Sequence, residues 1–131
     1  MSSLDLKQFQ TQVSELLLRH RSLLDVLSKY QQSNAAANRA VVKAITDCGC
    51  IQVHASKQKY TSNLTLDQAK ELVDTHVTGE LCENCLDVVG AELGKNLFYI
   101  ASLCNLLDLD LQGIVEKESD KCSTLGRFNL S

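Results

Sequence analysis

The sequence predicts an all-α fold, a bundle of about five helices in a single domain covering residues 1–131, and three observations lead there. The chain contains no proline, the strongest helix breaker. Its apolar side chains recur at alternating spacings of three and four over long stretches, the mark of a helix with one buried stripe. Its composition, 44% hydrophobic and 22% charged, is that of a globular chain of a length suited to one core.

Taken in order, Leu6, Phe9, Val13, Leu16, His20, Leu23, Leu27 and Tyr30 form an unbroken stripe, widened by Leu17 and Leu24. Asp5 with Gln8 caps its start, so a first helix is expected near 5–31, about 40 Å long at ~1.5 Å per residue. Gln31-Gln32-Ser33-Asn34 reads as a polar break with two N-cap residues. A second helix then runs near 34–48 on Ala37, Val41, Ala44, Ile45 and Cys48 and stops at Gly49. Ile51 to Ala55 alternates briefly like a short strand before the polar stretch Ser56 to Ser62. Thr65 with Gln68 forms a capping box that opens a third helix near 66–76, closed by Thr78-Gly79. Leu81, Cys85, Val88, Leu93, Leu97, Ile100, Cys104 and Leu107 carry a fourth helix near 80–107, with Gly90 and Gly94 marking a bend or a close crossing. Asp108-Leu109-Asp110 turns into a fifth near 110–121, and the tail from Ser123 has no period.

Bulk properties exclude several classes. A formal net charge of -3 gives no reason to bind nucleic acid or an anionic membrane, and 5% aromatic residues without Trp offer no stacking surface for single strands. The residues after Met1 lack a basic region followed by an apolar one, and no apolar run approaches the ~20 residues of a membrane span. A cytoplasmic location is therefore expected. In a reducing compartment six cysteines read as free thiols or metal ligands before disulfides. There is no phosphate-binding G-x-x-x-x-G-K-[ST] loop and no G-x-S-x-G nucleophile elbow.

The segment Ala91-Glu92-Leu93-Gly94-Lys95-Asn96-Leu97-Phe98-Tyr99-Ile100-Ala101-Ser102-Leu103 is followed by Leu107-Asp108-Leu109-Asp110-Leu111 and Glu116-Lys117. Together they resemble the third and fourth helices of the MazG-like nucleoside triphosphate pyrophosphohydrolases, and Leu6-Lys7-Gln8-Phe9-Gln10 resembles their first. The resemblance covers about half the chain and implies a helical frame, a homodimer and a nucleotide ligand. In that family an E-x-x-E pair and an E-x-x-D pair hold Mg²⁺ against the triphosphate, because this hard cation requires carboxylate oxygens. Here the second pair reads Glu92-Leu93-Gly94-Lys95, a cation in place of a ligand. The second helix offers only Asp47; the register Glu80-Leu81-Cys82-Glu83 supplies an alternative first pair, 12 residues ahead of Glu92. The catalytic candidates are thus Glu80, Glu83, Asp87 and Glu92 in a degenerate motif, set against exposed carboxylates on a solvated helix face. Arg19, Arg21 and Arg39 would meet phosphate if the family's cleft persists, or serve as ordinary surface charges.

Cys48-Gly49-Cys50 ends the second helix and Cys82-Glu83-Asn84-Cys85 begins the fourth. If those helices form the antiparallel hairpin that the resemblance implies, both pairs lie at one end of the bundle and four thiolates converge. Zinc bound by Cys48, Cys50, Cys82 and Cys85 would be structural, since four protein ligands leave no open position. An iron–sulfur cluster takes the same ligand count, and the plainer alternatives are buried reduced thiols or a redox pair. Cys104 and Cys122 read as packing residues. His20 reads as a core or interface histidine more than a base, and His54 or His76 could replace one sulfur. The expected protein is a divergent MazG-like module, metal-stabilised, that binds or regulates without pyrophosphohydrolase activity. The alternatives are an active Mg²⁺-dependent nucleotide pyrophosphohydrolase and a thiol-based redox sensor.

Overall fold

A computed structural model describes residues 4–16, 22–59 and 65–125. Among these the fold is all-α, with helices α1 (Leu6–Leu16), α2 (Leu23–Lys43), α3 (Leu66–Leu72), α4 (Glu83–Leu106) and α5 (Leu111–Leu125). A two-stranded antiparallel hairpin, β1 (Ile51–Val53) and β2 (Val77–Gly79), is inserted between α2 and α4. No single helix among the described residues is long and apolar enough to cross a membrane. Leu17, Arg19, His20, Arg21, part of the polar stretch before Thr65 and the tail beyond Leu125 lie outside the described residues.

The caps form as expected. Asp5 and Gln8 each accept the other's backbone N–H through a side-chain oxygen, at 3.0 and 2.8 Å, which starts α1. Thr65 and Gln68 make the same reciprocal box at the start of α3.

Two expectations are corrected. The first helix does not run unbroken from 5 to 31: the chain bends at Ser22, whose carbonyl accepts the Val26 N–H at 3.0 Å as α2 begins. Ser22 followed by Asp25 is a start signal that the apolar stripe concealed. Nor is Gln31 to Asn34 a break, because α2 passes straight through it. Asn34 does not cap; its side chain donates to the Gln31 side chain and accepts from Asn96 on α4, so its polar groups are satisfied sideways.

The chain forms two compact units. One comprises the residues up to Asn38 and those from Gly90 onward. Its core is Val13, Ala101, Cys104 and Leu111, with Leu6, Phe9, Phe98 and Ile100 packed against it. Gln10 ties three parts of this unit together. Its amide donates to the Leu109 carbonyl and accepts from the Leu111 N–H, while its own carbonyl accepts from Asn105. The second unit, Arg39–Val89, contains the end of α2, the hairpin, α3 and the first turns of α4. Among the described residues its buried cluster is Ala44, Ile51 and Cys85, flanked by Ile45, Cys50, Leu81 and Cys82. About fifty residues around so small a core fall in the size range where a metal or disulfide is commonly needed.

Candidate metal centre

The site is built where α2 ends. Over Ala44–Cys48 the helix widens into a π turn, closed by the Gly49 N–H on the Ala44 carbonyl at 2.9 Å. Such turns are rare and concentrate at functional sites. Gly49 then adopts φ 78°, a left-handed conformation that glycine takes without penalty. The chain reverses there, so Cys48 finishes the helix and Cys50 leads into β1. The Cys50 thiol lies 3.8 Å from the same Ala44 carbonyl.

The hairpin brings in the other pair. Ile51 lies opposite Gly79 in the register, and the Gly79 backbone passes directly over Cys50, where φ is 87° and any Cβ would press into the Cys50 carbonyl oxygen. Only glycine fits that crossing. Three residues beyond Gly79 the chain reaches Cys82, which caps α4 in the manner of a serine or aspartate. Its carbonyl accepts the Leu86 N–H at 2.8 Å, and its sulfur accepts the Cys85 N–H at 3.4 Å. Cys85, only 8% exposed, sits on the inner face of the first turn.

The result is that the sulfurs of Cys48, Cys50, Cys82 and Cys85 all lie within 4.8 Å of one another. Four close cysteines of this kind can hold a metal ion. Tetrahedral coordination with metal–sulfur bonds of ~2.3 Å sets the sulfur–sulfur edge at about 3.8 Å. Cys48 and Cys82 already stand 3.8 Å apart. The rest of the set needs an inward shift of no more than about 1 Å to reach that spacing.

The electrostatics suit a thiolate site. Cys82 has its pKa pulled down from 9.0 to about 7, first by the Cys85 N–H at the positive end of α4 and then by the Cys85 thiol. Cys85 is pushed up to about 12, chiefly by the Cys82 sulfur and then by burial. At Cys48 the Cys50 N–H lowers the pKa, but the Cys82 sulfur opposes it and the net shift is upward. The sign follows. Lowering at Cys82 stabilises the metal-free fold fully above pH 9.0 and is lost as pH falls through about 7. Raising at Cys85 acts fully below pH 9.0 and is lost as pH rises through about 12. At neutral pH, limiting iodoacetamide on metal-free protein should therefore modify Cys82 first within the cluster and Cys85 last. Mass-spectrometric mapping checks the order, and equal labelling of the two contradicts it.

The acidic candidates are arranged differently. Among the described residues, the group of three or more metal-ligating side chains that comes together is the four cysteines, and Glu80, Glu83, Asp87 and Glu92 are not in it. Glu92 pairs with Lys95 at 3.6 Å. His54 and His76 are also outside the group. The His54 backbone N–H donates to the His76 carbonyl at 2.8 Å as a continuation of the hairpin. Cys104 packs in the core of the first unit as expected, and its thiol pKa is raised by burial and then by Asp110. Cys122 is exposed on α5, not a packing residue, because the solvent face of that helix carries it. Sequence reasoning missed Gly79 and strand β2; Thr78-Gly79 carried the signal, but as a helix stop it concealed a backbone crossing.

No protein-family model matches the chain, and neither a curated protein nor a solved structure matches it. Fold and site together define an all-α protein with a four-cysteine cluster able to hold a metal ion.

Proposed function

We propose that this chain is a divergent MazG-like helical protein that has lost pyrophosphohydrolase chemistry and works as a binding or regulatory module stabilised by zinc. The observation that carries the metal is the gathering of four sulfurs within 4.8 Å. Soft thiolate donors and a near-tetrahedral spacing favour zinc, which has no geometric demand beyond four ligands and no redox chemistry of its own. Four protein ligands leave no position for an activated water, so the ion is structural. It would join the end of α2 to the start of α4 in the unit with the smaller core.

Loss of activity is supported by Lys95, a cation paired with Glu92 where the resembled motif has an acidic ligand. A binding role has surface to use. An apolar groove lined by Ala40, Ala44 and Val88 runs beside Cys48 and Cys85, and Leu93 and Leu97 on α4 are exposed. A homodimer would cover such side chains, a nucleotide remains a candidate ligand through the family resemblance, and the cytoplasm is the compartment in which these thiols stay reduced.

With Mg²⁺ and a panel of nucleoside triphosphates, no pyrophosphate release above background is expected. Release that disappears in Glu92→Gln would establish the enzyme and end this reading.

A further inference from the structure

We propose that the four-sulfur site is peroxide-responsive, a hydroperoxide converting Cys48 and Cys82 to a disulfide and so expelling the metal; this rests on the metal reading above.

The four thiols differ in exposure in a way that selects this pair. Cys85 is buried and Cys50 and Cys82 are half-buried, whereas Cys48 is open to solvent. The exposed Cys48 sulfur stands 3.8 Å from that of Cys82, so a sulfenic acid formed on either one has the other as its nearest partner across the two elements. The other pairing of Cys48 within its own C-x-C segment, and those with Cys85, are less favourable. Joining Cys48 to Cys50 across a single residue closes a strained ring. Cys85 is shielded, with its backbone N–H already directed at the Cys82 sulfur. Joining Cys48 to Cys82 links the end of α2 to the start of α4, the same two elements that the metal would hold. One covalent staple then replaces the other, and the unit keeps its anchor while the ion leaves.

The step balances. One thiolate of the Cys48–Cys82 pair attacks one oxygen of the hydroperoxide, forming a sulfenic acid and releasing hydroxide or alkoxide. The other thiolate then attacks the sulfenic sulfur, forming the S–S bond and releasing hydroxide. Two thiolates have supplied two electrons, the O–O bond has been reduced, and only Cys50 and Cys85 remain for the metal. Two ligands cannot retain it against water and chelators.

The test uses the full chain carrying Cys122→Ser, which removes the exposed thiol on α5. Metal content is measured first, then one equivalent of hydrogen peroxide is added in the presence of a chromophoric chelator. The expected result is release of about one metal per chain. It should follow the same time course as a disulfide that fragment ions assign to Cys48 and Cys82, and dithiothreitol with added metal should reverse both. Metal retained after the disulfide forms, a linkage at any other pair, or oxidation only to sulfinic and sulfonic acids would overturn the proposal. An absence of metal before peroxide removes the zinc reading instead, and the linkage map of the same sample still decides the pairing.

Discussion

Cys85→Ser is expected to empty the metal site and lower the midpoint of thermal unfolding by on the order of 10 °C. The proposed ion requires four thiolates, and a serine hydroxyl neither ionises at neutral pH nor matches a soft metal. The size of the effect follows from mass action: a metal present at a thousandfold excess over its dissociation constant adds about 4 kcal/mol to the folded state. In a chain of this length each kcal/mol moves the midpoint by roughly 3 °C. The loss should be local to Arg39–Val89, whose buried cluster of Ala44, Ile51 and Cys85 is itself opened by the substitution. Chelator added to the unsubstituted protein should reproduce most of the drop and should do nothing further to Cys85→Ser. Calorimetry with and without chelator reads both. A chelator that leaves the unsubstituted protein unchanged, while Cys85→Ser still unfolds early, would mean that Cys85 acts by packing alone.

Gly79→Ala should cost about 3 kcal/mol and weaken metal binding at the same time. Two effects combine at that position. The backbone lies at φ 87°, where an L side chain is strained, and the new methyl group would meet the Cys50 carbonyl oxygen, a backbone atom with little room to retreat. Relief requires β1 and β2 to part, which moves Cys50 relative to Cys82. Gly49 is the natural comparison, because its φ of 78° is similar but no atom lies within 4 Å of the added Cβ. Gly49→Ala should therefore carry only the conformational cost, about 1 kcal/mol. Urea denaturation and competition with a chromophoric chelator measure the two variants side by side. Equal costs would show that the close crossing at Gly79 does not hold the site together.

Much of this was legible from the chain alone, and the reasons differ by element. The period of α4 and the caps at Asp5 and Thr65 depend on neighbours within four residues, so local reading placed them closely. Cys85 on the apolar stripe likewise marked the inner face of the α4 start. The break at Ser22 was lost because leucines on both sides kept the helical spacing in phase. The continuity of α2 through Ser33 and Asn34 depends on a partner 62 residues away, Asn96, which no window could contain. Strand β2 is three residues long and exists through its pairing with β1. The convergence of the cysteines was expected from the C-x-C and C-x-x-C spacings only through the helix hairpin that the family resemblance implies. The π turn, the reversal at Gly49 and the crossing at Gly79 that bring the sulfurs to within 4.8 Å had no sequence period to announce them.

The most direct measurement is the metal content of protein purified without chelator under reducing conditions, by elemental analysis alongside a free-thiol count. About one zinc per chain is expected, with four of the six thiols protected until the metal is removed. Six freely titrating thiols and no bound zinc or iron, after zinc has been offered, would mean that the cluster at the start of α4 is packing and not coordination.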